Sequence, residues 1–335
     1  MEPGMKLHEN KTLFRQAIQF TADNMKNPIP AIYVEKDYWV TYALFTIFKS
    51  EPGKDTVFKG GTALSKCFGV IERFSEDIDL VVLRREGETD NRLKAKIREI
   101  SKVIEPVMPE IEIPDITNKK GMNRKTAHTY NKTFAGDFGQ VRDFIVLEST
   151  WLGYYEPCSK KSIVSYVGKM MLENGQLEMA LANGLLPFEI MVLDPVRTIC
   201  EKIMSLVRFS YGENPVDDLK KKIRHTYDLN QLLQQKEYFG FFNSQEFDKM
   251  ILKVASDDII GYRNNNEWLF YHPNESLIFS KPDEIWKELD PVYNGDFKKL
   301  VFGELPKADD VLQTLKTIKE RLVMVDWSDI INSKP

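Results

Sequence analysis

Residues 58–80 read FKGGTALSKCFGVIERFSEDIDL, and the order of residue types within them decides the fold. The stretch Thr56-Val57-Phe58-Lys59 has the composition of a short strand, Gly60-Gly61 of a tight turn, and Thr62 to Gly69 of a short helix. The run from Asp77 to Leu83 then alternates like a strand that becomes fully buried. Gly60 and Gly61 can take positive φ and let a phosphate approach backbone N–H groups that open a helix. Thr62 adds a hydroxyl for a phosphate oxygen, and Ser75, just before the acids, is a further phosphate contact. Asp77 and Asp79, two apart on a strand, project from one face. Two carboxylates so close repel each other unless a divalent cation lies between them.

Working outward, a third acid is needed to complete a site for two magnesium ions. Glu148 is the best choice: it ends the apolar strand Arg142–Glu148, places itself on the face of Phe144 and Val146, and is costly there without a partner. Each piece alone has an ordinary explanation. Gly-Gly is commonly only a turn, and Asp-x-Asp a solvated strand end. Their conjunction across one strand–turn–helix–strand unit points to phosphoryl chemistry.

Around this unit, residues 9–50 are helical in pattern. Leu13, Ile18 and Phe20 give one face, and Val40, Leu44 and Phe45 another, before Glu51-Pro52-Gly53 stops the run. A charged helix is predicted over 90–104 and antiparallel β structure over 111–150. From about 187 the pattern turns helical and stays so, with Asp194-Pro195 as cap and first helical residue. Further helices are predicted near 216–235, 245–255 and 308–324. The expectation is an α+β protein with a mixed β-sheet core: an N-terminal helical segment (1–50), a core (51–186) and a helical C-terminal domain (187–335).

Composition narrows the function classes. Lys plus Arg number 46 and Asp plus Glu 50 in 335 residues, a net charge of −4, which excludes a carrier that binds nucleic acid through bulk positive charge. Cys67, Cys158 and Cys200 form no CxxC pair, so neither a disulfide framework nor a structural zinc site is expected. The N-terminal MEPGMKLHENK carries no apolar signal region, and no run of about 18 apolar residues occurs, so a cytoplasmic protein without a membrane span is expected. The four histidines are not at metal-ligand spacing, which leaves any metal site to carboxylates and hard cations.

In the helical half, Lys202 borders the face of Ile199, Ile203 and Leu206. It either snorkels to water or places its charge on a triphosphate. Asp228 stands four residues after Arg224 and three after His225, so a local pair and a site residue are both open. Two basic clusters, Lys119, Lys120, Arg124, Lys125, His128, Lys132 and Lys220, Lys221, Lys222, Arg224, are either solvated faces or contacts for an RNA backbone.

The segments VEKDYWVT, FKGGTALSK, RFSEDIDL, LDPVRTICEKI and RHTYDL, spanning residues 34–229, together resemble the AbiEii/AbiGii toxin family of bacterial nucleotidyltransferases, within the DNA polymerase β-type superfamily. Thr62 stands where superfamily members carry the serine of Gly-Ser, and the gap to Asp77 is slightly longer. The resemblance implies transfer of a nucleoside monophosphate from an NTP to an acceptor, tRNA, with Mg²⁺ held by Asp77, Asp79 and Glu148. It makes Lys202 the lysine essential for transfer and Asp228 a second site residue, with Gly60, Gly61, Thr62, Ser75 and Lys202 on the nucleotide phosphates. It also implies a toxin of a toxin–antitoxin or abortive-infection pair whose partner is a winged-helix antitoxin. Two alternatives stay open at this point, an antibiotic-type enzyme with a small-molecule acceptor and a catalytically silent interaction protein.

Overall fold

The computed structural model describes residues 4–119, 121–136, 141–151, 156–262 and 265–333. It forms two compact units, one of Met1–Gly69, Arg73–Trp151 and Cys158–Val192, the other of Val70–Glu72, Leu152–Pro157 and Leu193–Pro335.

The first unit is built on a mixed sheet of seven strands: β1 (Thr56–Lys59), β2 (Ile78–Val82), β3 (Glu110–Ile111), β4 (Asn123–His128), β5 (Ile145–Thr150), β6 (Cys158–Ile163) and β7 (Phe188–Leu193), in the order β3-β4-β5-β2-β1-β7-β6. Both neighbours of β2 are strands, β1 antiparallel and β5 parallel. Its apolar residues Ile78, Leu80, Val81 and Val82 are accordingly buried whichever way they point. Asp79 is the one charged residue of that central strand. The α+β class expected from the sequence is the class observed.

The motif VEKDYWVT lies in the helix Ala31–Lys49, which is buried nearly all round. Its three consecutive charges each tie down a different segment. Glu35 accepts from the backbone N–H of Thr133 (2.7 Å) and Phe134 (3.0 Å). Burial raises its pKa above the usual value, and these amides oppose the rise. Lys36 bonds the carbonyls of Arg142 and Phe144 and faces Glu76 at 3.5 Å. Asp37 pairs with Lys66 at 2.5 Å and accepts from Tyr166 N–H. Buried charges survive because each has a partner.

Several expectations are corrected. The first helix, Lys11–Asn24, buries Phe14, Ile18, Thr21 and Ala22, not Leu13 and Phe20, because the i, i+4 row through Phe14 sets its inner face. The strand carrying Glu148 starts at Ile145 and runs to Thr150, so Phe144 precedes it and Glu148 sits inside it. It is antiparallel to β4 but parallel to β2. Residues 188–193, expected to be helical, form β7, which pairs in parallel with β1 (Phe58↔Val192). FEIMVL is a short apolar run, and such runs do not reveal by periodicity whether they are strand or helix.

The second unit is helical. Asp194 caps the helix Pro195–Phe209 by accepting from Val196 N–H (3.0 Å), with Pro195 at its first position. That helix buries Ile199, Ile203 and Leu206, and the helix Ile223–Gln234 buries Tyr227, Leu229 and Leu232. The hydroxyl of Tyr227 accepts from the backbone N–H of Glu72 (3.2 Å). Among the described residues, no helix is long and apolar enough to cross a membrane.

Candidate active site

Strand register assembles the site in the first unit. Lys59 pairs with Asp79 between β1 and β2, Asp79 with Glu148 between β2 and β5, and Glu148 with Lys125 between β5 and β4. Register partners share a sheet face, so four adjacent strands present a transverse row, Lys59–Asp79–Glu148–Lys125. Two acids sit in the middle of the row and a lysine at each end.

Gly60 and Gly61, expected as a separate turn, open the helix Gly60–Ala63 directly after β1 and close onto this row. Gly60 has φ +84°, and a Cβ built on it would lie 2.3 Å from Asp79 Oδ2. The position therefore demands glycine twice, for its backbone conformation and for the approach of the carboxylate. A Cβ on Gly61 would meet Arg73 Nη2 at 2.7 Å and Ser75 Oγ at 3.1 Å. The Thr62 hydroxyl bonds the Asp77 carbonyl at 2.6 Å and Ser75 Oγ at 3.0 Å, fastening the start of the short helix to the acidic strand.

The three acids differ electrostatically. Burial, then the charges of Glu148 and Asp77, push the Asp79 carboxyl up to about 7, against the pull of Lys59 and Lys125. Burial acts in the same direction on Glu148, but Lys125 and Asn123 outweigh it and hold that carboxyl below its usual value. Lys125 Nζ lies 3.0 Å from Glu148 Oε2, and Asn123 Nδ2 donates to Oε1 at 2.7 Å. Asp77 is engaged by Arg142, whose Nη1 lies 2.8 Å from Oδ1.

Among the described residues, no three His, Cys, Asp or Glu side chains converge as a metal cage. The donor set has only the chemistry a hard divalent cation takes, since Asp77, Asp79 and Glu148 offer oxygen ligands alone, and such a cation would offset the charges of Glu148 and Asp77 that, after burial, raise Asp79.

Lys202 and Asp228 belong to the second unit, and the structure brings them together. Lys202 Nζ lies 2.7 Å from Asp228 Oδ2 and 3.3 Å from His225 Nδ1. The lysine side chain is 7% exposed and the aspartate fully buried, so Lys202 does not snorkel.

The first basic cluster is not an open cationic face. Lys119 and Arg124 pair with Glu110, Lys125 with Glu148, and Lys132 with Asp143. His128 is buried between the Met108 carbonyl and the Thr126 hydroxyl, and Lys120 lies outside the described residues. In the second cluster Lys220 and Lys221 pair with Asp217 and Asp218, and Lys222 lies over the Phe209 ring.

Reading the sequence for motifs missed Lys59, Arg73, Asn123 and Arg142, and gave Lys125 a different role. The available signal was charge: Lys59 and Arg73 flank the glycine turn and the acidic pair within one 23-residue stretch, and Arg142 heads the segment leading to Glu148.

A family model described as nucleotidyl transferase AbiEii toxin, type IV toxin–antitoxin system, matches residues 42–315. No curated protein matches the chain. Among solved structures, it is similar to MenT4, a nucleotidyltransferase toxin from Mycobacterium tuberculosis H37Rv, at 15% identity over 91% of this chain and 98% of that one, with a TM-score of 0.46.

Proposed function

Because the chain belongs to the AbiEii nucleotidyltransferase toxin family, we propose that it transfers a nucleoside monophosphate from an NTP to a tRNA hydroxyl, using Mg²⁺ at Asp77, Asp79 and Glu148. Family membership makes it a nucleotidyltransferase and the toxin of a type IV toxin–antitoxin system, which implies an NTP substrate and an antitoxin. The finer reading rests on one observation above all, the adjacent acids Asp79 and Glu148 set against the Gly60 turn.

In this reading the acceptor oxygen attacks the α-phosphorus, and the bond to the leaving pyrophosphate breaks in line with it. Asp77, Asp79 and Glu148 would hold the divalent cation, which would supply a lowered pKa for the attacking hydroxyl and an offset for charge on the phosphates. Gly60 and Gly61 leave the turn open to the phosphates, with Ser75 beside them. Thr62 holds Asp77 and the turn in fixed relation through its hydrogen bond to the Asp77 carbonyl. Lys202 and Asp228 keep the roles the resemblance gives them, a charge for the nucleotide phosphates and a second site residue facing the nucleotide or acceptor. The antitoxin is a winged-helix repressor and the site of action the cytoplasm, where tRNA and NTPs meet.

The acceptor is tested by incubating the protein with total RNA and with small metabolites in each of the four α-labelled NTPs. Label in the tRNA band supports the reading. Label confined to small metabolites contradicts the tRNA acceptor.

A further inference from the structure

Two of the three acids are held by a basic side chain from another segment. Arg142 Nη1 lies 2.8 Å from Asp77 Oδ1, and Lys125 Nζ lies 3.0 Å from Glu148 Oε2. All four side chains are partly exposed, between 29% and 37%, so these pairs border the solvent that a ligand enters from.

The backbone around the pairs is held independently of them, while the Arg142 guanidinium also lies 3.8 Å from buried Glu76 Oε1. The Arg142 backbone is pinned on both sides by a buried couple: its N–H donates to Glu76 Oε1 (3.0 Å), and its carbonyl accepts from Lys36, which faces Glu76. Asp77 is fastened at its carbonyl by the Thr62 hydroxyl. Glu148 keeps its bond to Asn123 through the oxygen that Lys125 leaves free. Either basic side chain can let go while the carboxylate it held stays in place.

We propose that Arg142 and Lys125 are substrate-binding residues of the transfer reaction: they hold Asp77 and Glu148 in the cation-free enzyme, and release them to a divalent cation while turning to the phosphates of the incoming nucleotide. The inference rests on the assignment of Asp77 and Glu148 to the cation site. Its physical basis is charge balance. A cation arriving at the acids displaces the resident positive charges, which stay tethered where a polyanionic triphosphate can receive them. The same pairs keep the acids from facing one another without compensation before substrate arrives.

The consequence is an effect of opposite sign on two ligands, which a merely structural role does not give. Mn²⁺ binding to the full-length, metal-free protein is read by the loss of the free-ion electron paramagnetic resonance signal. Arg142→Gln and Lys125→Met are each expected to bind Mn²⁺ about two- to fivefold more tightly than wild type, because a partly exposed ion pair no longer competes. At saturating Mn²⁺ the KM for the NTP used by wild type is expected to rise about tenfold in each variant, with Arg142→Lys in between. Thermal melting confirms that the variants fold. Unchanged or weaker Mn²⁺ affinity, or an unchanged KM, overturns the proposal. Wild type that binds no Mn²⁺ overturns the cation site itself, and the inference with it. Wild type that binds Mn²⁺ as the Arg142 and Lys125 variants do overturns the inference alone.

Discussion

Lys202 Nζ and Asp228 Oδ2 lie 2.7 Å apart, from helices Pro195–Phe209 and Ile223–Gln234, with the aspartate fully buried. Two residues that the sequence leaves as separate possibilities are one unit. A buried charge deprived of its partner is far more costly than a surface one.

Lys202→Met is therefore expected to destabilise the second unit by about 3–5 kcal/mol, since Asp228 loses its ammonium. Lys202→Met combined with Asp228→Leu is expected to recover most of that loss, because apolar replacement of a buried pair is commonly neutral. Urea unfolding of the three proteins checks both statements. A single variant as stable as wild type contradicts the buried-pair account. Activity lost in the single variant says nothing about nucleotide contact unless folding is measured beside it.

Gly60→Ala puts a methyl group where Asp79 Oδ2 stands and forces alanine to φ +84°. The left-handed backbone costs about 1 kcal/mol, a modest drop in melting temperature. Displacing the carboxylate is expected to cost transfer about 10²-fold. Steady-state kinetics beside a melting curve separate the two effects, and full activity in a folded variant contradicts the proposed closeness of turn and acid.

The Asp79 carboxyl titrates at about 7 in the fold, above the aspartate value of about 4 expected in the unfolded chain. The folded state thus holds this proton more tightly. The associated stability is complete below about pH 4 and is lost as pH rises through about 7. Without divalent cations, wild type is expected to lose melting temperature between pH 4 and 7 relative to Asp79→Asn, and to regain it on adding Mg²⁺ at pH 8. Parallel pH profiles for the two proteins contradict this.

How much of this was legible in the sequence follows from what each signal depends on. The helix over 90–104 and the cap at Asp194 are local, set by periodicity and by one side chain bonding its own helix, and both stand as read. The order of strand, helix and strand from β1 to β2 is local too, although Gly60 and Gly61, expected as a separate turn, open the helix Gly60–Ala63 directly after β1. Pairing is not local. That Glu148 lies beside Asp79, and Lys125 beside Glu148, depends on a strand order that skips through the chain, β4-β5-β2-β1. Hence Lys125 was read as one charge in a basic run. The strand Phe188–Leu193 was missed because a short apolar run carries no period of its own, and its strand character comes from β1 beside it. The burial of Lys36 and Glu76 is not legible either, since burial beside a distant loop leaves no mark on the local pattern.

The central claim is that transfer runs on the acidic row. The most direct measurement is incorporation of α-labelled NMP into tRNA by wild type and Asp79→Asn at equal concentration, with Mg²⁺ and with chelator, on protein shown by melting to be folded. Asp79→Asn keeps the shape of the side chain and removes its charge. The expected result is Mg²⁺-dependent labelling by wild type and at least about a 10²-fold loss in the variant. Labelling by folded Asp79→Asn at the wild-type rate, or wild-type labelling undiminished by chelator, would contradict the account.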